Sequence, residues 1–353
     1  MQINDDSMDP PSTPPWFAWE GVSVDEDGPG SAPRDDAAWL DGWVQAARTR
    51  TVLEAVVPAA EAQAGLAARL VHDGRVAGAP GRLALAEAAD AMRLAGDAGA
   101  RDRLALYAHG VQGAIDTRDL QADWALRQLH RAGDPSAMSV AELRAFLGLV
   151  RRADGGAGDW TEDQVTLFPR PQGTELDQGL AEWRAMAGQV AGQHRLVRAV
   201  ILHRAWRWLG LSAPEDAVTP LVVACRVAAP EGLPFAPLAG AARRLRTFAQ
   251  GGAEAARLVA MLGAFGAAAR EASSGLERLA AWRARADGVA TTRAARAVVG
   301  ALATRPVASS KGIAAGAGLT PQAVNGAARA LLAKDLISEA TGQSRFRLWQ
   351  ARL

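Results

Sequence analysis

Ala314-Ala-Gly-Ala-Gly318-Leu-Thr320-Pro321-Gln-Ala-Val324 decides how the end of this chain folds. It sets a small residue, a glycine four positions on, and a β-branched residue six further. A tight crossing of two short helices needs that order. Ala314 lets one helix approach the next, and Gly318 takes a left-handed turn without a Cβ penalty. Thr320 caps the new helix and Pro321 suits its first position. Val324 then buries into a small three-helix core.

Working outward, a preceding helix is expected over Thr292–Thr304, where Ala295, Val298, Val299 and Leu302 are apolar at helical spacing. Pro306 stops it. The second helix is expected to start at Ser309 or Ser310, and the third to run from Pro321 to about Lys334. The period then changes. Leu336-Ile337-Ser338 reads as a short strand and Thr341-Gly342-Gln343-Ser344 as a turn. Arg345-Phe346-Arg347-Leu348-Trp349 alternates basic and apolar, as a half-buried strand does. Three short helices followed by a basic hairpin make a winged helix-turn-helix, assigned to residues 291–353.

Charge collects at that end. Residues 291–353 carry nine bases against Asp335 and Glu339, a net +7; the whole chain is +1, so residues 1–290 sum to −6. Positive charge on a fold that can enter a groove is the footprint of a phosphate-binding module. In the third helix Val324, Ala327, Ala328, Leu331 and Leu332 are expected to point inward. Gln322, Asn325, Gly326 and Arg329 fall on the opposite side. Gln and Asn pair bidentately with adenine, and Arg with guanine, in a major groove. The expected contacts to double-stranded DNA are Lys311, Thr320, Gln322, Asn325, Arg329, Lys334, Arg345 and Arg347. The competing readings are a merely solvated polar face and a protein–protein module.

Half of the residues are apolar, mostly Ala, Leu and Val, with one Tyr, so helix is favoured over sheet. Cys225 stands alone, which excludes a disulfide framework and a cysteine metal site. The acidic start lacks an apolar signal core, and no run of about twenty apolar residues is present to span a bilayer. A cytoplasmic, nucleoid-associated protein without membrane contact is the expectation.

Residues 1–35, with eight acids, six prolines and Trp16-Phe17-Ala18-Trp19, read as a disordered acidic arm. A helical block follows over 36–152, with Pro58 a kink or a start, Gly78–Gly81 a loop, helices over Leu83–Leu94, Arg101–Ile115 and Thr117–Arg131, and a capping box at Ser139–Glu142 opening a helix to Arg152. Residues 153–175 read as a linker. A second helical block spans 176–288, with helices over Leu176–Val190, Leu196–Leu211, Ala217–Ala228, Leu238–Phe248 and Ala253–Arg285, the last with a break at Ser273-Ser274-Gly275.

The chain carries few residues in patterns that catalysis requires. The five histidines show no metal-ligand spacing and no HExxH; there is no GxSxG. His203, between Ile201, Leu202, Ala205 and Trp206, reads as a core histidine. No catalytic residue, metal or cofactor is assigned.

Two resemblances follow. At Leu196-Val-Arg-Ala-Val-Ile-Leu-His203-Arg-Ala-Trp206-Arg-Trp-Leu-Gly210 the chain resembles the Fic family of AMP-transferases, whose helix of this cast runs into HPFx[DE]GNGRxxR. Laid on without gaps, the motif's His falls at Gly210, its Asn at Asp216, its first Arg at Val218 and its last at Leu221. Every chemical position is lost, so the resemblance implies a Fic-like helical scaffold without the reaction. Leu180-Ala-Glu-Trp183-Arg184 and the ending Ser338-Glu-Ala-Thr341-Gly342-Gln-Ser-Arg345-Phe346-Arg347-Leu-Trp349 look like the bacterial, often rhizobial plasmid-borne, family with a domain of unknown function followed by an HTH DNA-binding domain.

The fold expectation is therefore mainly α: a Fic-like helical body plus a C-terminal winged helix-turn-helix with a small β-hairpin. The functional expectation is a DNA-binding transcriptional regulator, not an enzyme, acting as a homodimer through apolar body helices such as Leu258-Val-Ala-Met-Leu262 with Phe265. The alternatives are a divergent Fic-type nucleotide-using enzyme and a plasmid-maintenance or antitoxin-like protein.

Overall fold

Apolar residues at helical spacing fold this chain into twelve α-helices among the described residues, with one small three-stranded antiparallel sheet near the C-terminus. The computed structural model describes residues 36–73, 76, 78–97, 103–104, 117–148, 170–241, 253–340 and 347–353. The acidic arm 1–35, nearly all of Arg101–Ile115, most of the linker 153–175, most of Leu238–Phe248, and Thr341–Phe346 lie outside them.

The body comprises α1 (Asp36–Ala47), α2 (Arg50–His72), α3 (Ala79–Leu94), α4 (Thr117–His130), α5 (Val140–Phe146), α6 (Gly173–Gln189), α7 (Arg195–Trp208), α8 (Val218–Val227) and α9 (Glu254–Val289). Its centre is α7 and α8. Every residue of α8 is buried, and Trp183 of α6 meets Trp206 of α7 edge to face at 5.4 Å. The Trp183 Nε1–H donates to the Leu202 carbonyl at 3.0 Å, which satisfies the indole in an apolar setting.

Several boundaries differ from those expected. Helix α2 passes through Pro58 rather than starting there, and that proline lies on its exposed side. Gly78–Gly81 is not a loop. Gly78, at φ 85°, is the N-cap of α3 and Pro80 sits in its first turn. The capping box at Ser139 and Glu142 is present, but α5 ends at Phe146, before a left-handed Gly148. Helix α6 begins at Gly173, inside the expected linker. Helix α9 is unbroken through Ser273–Gly275, where Arg69 of α2 donates to the Ser273 carbonyl and pairs with Glu277.

Helices α2 and α9 pack closely because the facing residues are small. A Cβ on Gly266 would lie 3.2 Å from the Ala59 Cα. Gln63 crosses the seam, its Nε2 donating to the carbonyls of Phe265 at 3.0 Å and Pro237 at 3.3 Å. Leu258, Met261, Leu262 and Phe265 are fully buried in this core. The apolar face expected to be left uncovered for dimerisation is therefore packed inside the body.

The C-terminal elements are α10 (Arg293–Thr304), β1 (Val307–Ser309), α11 (Ser310–Ala317), α12 (Pro321–Leu332), β2 (Ile337–Glu339) and β3 (Leu348–Ala351). The sheet order is β1-β3-β2, with Val307 opposite Gln350 and Ile337 opposite Ala351. The strand β1 has no counterpart in the sequence reading. The expected boundary at 288–291 falls where α9 ends, yet Leu276, Leu279 and Trp282 of α9 share one core with Val298, Leu302, Val324 and Trp349. Three ties fix this junction. Trp282 Nε1 donates to the Leu336 carbonyl at 2.7 Å. Arg82 of α3 donates to the carbonyls of Leu302 (2.6 Å) and Arg305 (2.7 Å), satisfying the C-terminus of α10. Gly78 abuts Thr304 so closely that a Cβ would overlap its side chain.

Candidate nucleic-acid interface

The crossing of α11 and α12 forms as the Ala314–Val324 stretch dictates. Ser309 caps α11, its Oγ accepting from the Gly312 N–H. Gly318 ends that helix at φ 61°, and the Leu319 N–H reaches back to the Ala314 carbonyl. Thr320 Oγ1 then accepts from the Ala323 N–H and caps α12. Val324, Ala328 and Leu331 are buried beneath it. Leu332, expected inward, is 41% exposed, because α12 stops there instead of continuing to Lys334. Asp335 takes the left-handed conformation at φ 59°, and the Leu336 N–H bonds the Leu331 carbonyl to close the end.

Gln322, Gly326 and Arg329 are exposed along α12, as expected of one open face. Asn325 differs. It is half-buried at the edge of that face, and its Oδ1 lies 2.5 Å from Ser310 Oγ. Ser310 also receives the Nε1–H of the fully buried Trp349, at 2.8 Å. Lys311 is exposed in the first turn of α11, Lys334 is exposed just past α12, and Thr320 is exposed at the cap.

The two acids of this region are each engaged by an arginine. Asp335 pairs with Arg352, and Glu339 lies 3.9 Å from Arg347, which is half-buried just before β3. Arg293, exposed, donates to the Ala317 carbonyl at 2.8 Å. Lys311, Arg329 and Lys334, with Arg296 and Arg305, have no carboxylate partner among the described residues, so their charge faces solvent. Arg345 lies outside the described residues. The arrangement offers a helix with amide and guanidinium donors, flanked by lysines, to an anionic partner.

The body holds several buried polar groups, Asp216 among them. Asp216 is buried where α8 begins, and its Oδ1 accepts from the N–H groups of Val218 and Thr219 at 3.0 Å and from Gln121 Nε2 at 2.9 Å. The helix start is thus filled by the chain's own carboxylate. One helix away, burial with Arg207 and Arg204 nearby pushes the His203 imidazole down to about 3, so it is neutral at ordinary pH. Among the described residues no group of His, Cys, Asp and Glu is placed to hold a metal ion, and no helix is long and apolar enough to cross a membrane. No known protein-family model matches this chain, and no curated protein does.

Proposed function

We propose that the chain binds double-stranded DNA through a C-terminal winged helix-turn-helix, with α12 in the major groove, and serves as a transcriptional regulator. The observation that carries this is the exposed Gln322–Arg329 face of α12, with Lys311 and Lys334 beside it unneutralised. The likeness of the ending Thr341-Gly342…Trp349 to the HTH-bearing family agrees with it. We also read the body as a Fic-like scaffold; that it does not transfer AMP is supported by Asp216, a carboxylate where phosphate would need donors.

The full-length chain should bind duplex DNA in a salt-dependent manner. Arg329→Ala should cost about 1–3 kcal/mol and relax preference at one base pair. Lys311→Ala or Lys334→Ala should weaken all duplexes alike and lower the salt slope by about one. Fluorescence anisotropy across a salt series reads both. Absence of any salt-dependent binding by the intact protein removes the proposal.

We further propose a homodimer, since one such module reads few base pairs and regulators pair half-sites. Helix α2 carries a suitable surface. Leu53 (56% exposed), Val57 (56%) and Val71 (59%) line up with exposed Ala64 and Ala68 along one outer face. That stripe has bulky ends and an alanine middle. Two copies laid antiparallel put Leu53 against Val71, a self-complementary two-fold contact. Light scattering over a micromolar range should show dimer mass, reduced to monomer by Leu53→Glu with Val71→Glu. A steady monomer mass in the unaltered chain refutes it.

A further inference from the structure

We infer that α12 reads a split triplet, an adenine at Gln322 and a guanine at Arg329, with the base pair between them unread because Gly326 faces it; this rests on the DNA-binding reading above. Gly326 stands inside α12, where glycine is disfavoured relative to alanine. Its backbone is helical, with no positive φ that would call for glycine. A Cβ built on it would meet nothing within 4 Å, so no neighbour in the protein requires the side chain to be missing. The bare spot faces outward, on the exposed side of α12.

Helical periodicity sets what flanks that spot. Gln322, Gly326 and Arg329 are all exposed and fall within about 60° of one another around the helix. They follow at spacings of four and three. A helix lying along a major groove meets successive base pairs with side chains three or four positions apart. Gln322 and Arg329, about 10.5 Å apart along the axis, therefore address the first and third of three successive base pairs. Gly326 falls to the second. Asn325 does not take that middle place. It lies about 100° around the helix from Gly326. There it is half-buried at the border of the face and hydrogen-bonded to Ser310.

The two outer positions carry the side chains that major-groove chemistry favours. Gln322 offers an amide oxygen and an amino group, which match adenine N6 and N7. Arg329 offers two N–H groups to guanine O6 and N7. Between them Gly326 brings no donor, no acceptor and no side-chain carbon. The thymine methyl group finds room there, so all four base pairs pass alike. Specificity then lies in two letters and the distance between them.

The test is selection from randomised duplexes by the full-length protein, with each variant's fold checked by thermal unfolding. The unaltered chain should enrich an adenine and a guanine with one unselected base pair between them. Gln322→Ala should flatten the adenine position alone, and Arg329→Ala the guanine position alone. Gly326→Gln is the decisive variant. The open space at its Cβ and the higher helix propensity of glutamine preserve the fold. It should keep both outer letters and enrich adenine at the middle by about 5-fold or more, the lower end for one bidentate pair. The inference is overturned if the unaltered chain selects the middle base pair as strongly as its neighbours. It is equally overturned if Gly326→Gln leaves the middle unselected or weakens binding to every duplex alike. If the intact chain binds no duplex at all, the DNA-binding reading fails first, and this inference with it. If it binds selectively and the Gln322 and Arg329 variants leave selectivity unchanged, only the present inference fails.

Discussion

Trp282→Ala is expected to destabilise the protein by about 3–5 kcal/mol, the range for removing a buried tryptophan. The indole is fully buried near the end of α9, in the core it shares with α10, α12 and β3. Its loss also removes one of the two donors to the Leu336 carbonyl, which keeps the Arg352 N–H at 3.1 Å. Trp282→Phe retains most of the volume and removes one of the two donors to that carbonyl, so about 0.5–1.5 kcal/mol of the loss should remain. Denaturant unfolding followed by circular dichroism measures both. A change below about 1 kcal/mol in the alanine variant would show that α9 and the C-terminal elements do not fold as one unit.

The second large effect concerns Glu87. Its carboxylate is buried in α3 and its Oε1 accepts from the N–H groups of Leu238 (2.8 Å) and Ala239 (2.6 Å) and from the Cys225 thiol (3.2 Å). Burial outweighs these bonds and pushes the carboxyl from 4.5 up to about 7. In the unfolded chain the group ionises near 4.5; in the folded protein it holds its proton until near 7. The folded state therefore binds more protons between those values. Its stabilising contribution is full below about 4.5 and is lost as pH rises through about 7. About 3 kcal/mol follows from the shift. Glu87→Gln, neutral and of the same shape, should flatten this loss between pH 5 and 8 and be the more stable protein at pH 8. Parallel pH profiles for the two proteins would refute the assignment.

How much of this was legible beforehand depends on the range of the interaction. Thr292, Ser309, Gly318 and Thr320 act on residues within five positions, so caps and the turn could be read from the chain directly. The strand β1 could not. Three residues after a proline carry no period, and their partners are at Leu348–Gln350. The same holds for Arg82 and Gly78, which reach α10 across more than two hundred residues, and for the Leu258–Phe265 stripe, whose cover is α2. The face of α12 was legible as a set of residues, since periodicity places them. The half-buried place of Asn325 beside Ser310 was not, because Ser310 belongs to another helix. The break expected at Ser273–Gly275 misread local propensity; packing against α2 and the Arg69 contacts carry the helix through.

If the chain binds DNA as a dimer, as we propose, the unbroken α9 has a consequence for operator geometry. Its 36 residues extend about 54 Å, with one half in the body core and the other in the core beneath α12. A regulator whose reading head rides on a flexible tether tolerates variable spacing between half-sites. In the proposed DNA-binding reading, the head of this chain is seated on the same rod that organises the body, with Arg82 and Trp282 as bolts. In a two-fold assembly, distance and rotational phase between the two heads are thus set by the protein. An insertion of about five base pairs, half a helical turn, would carry one half-site to the far side of the duplex, beyond the second head's reach.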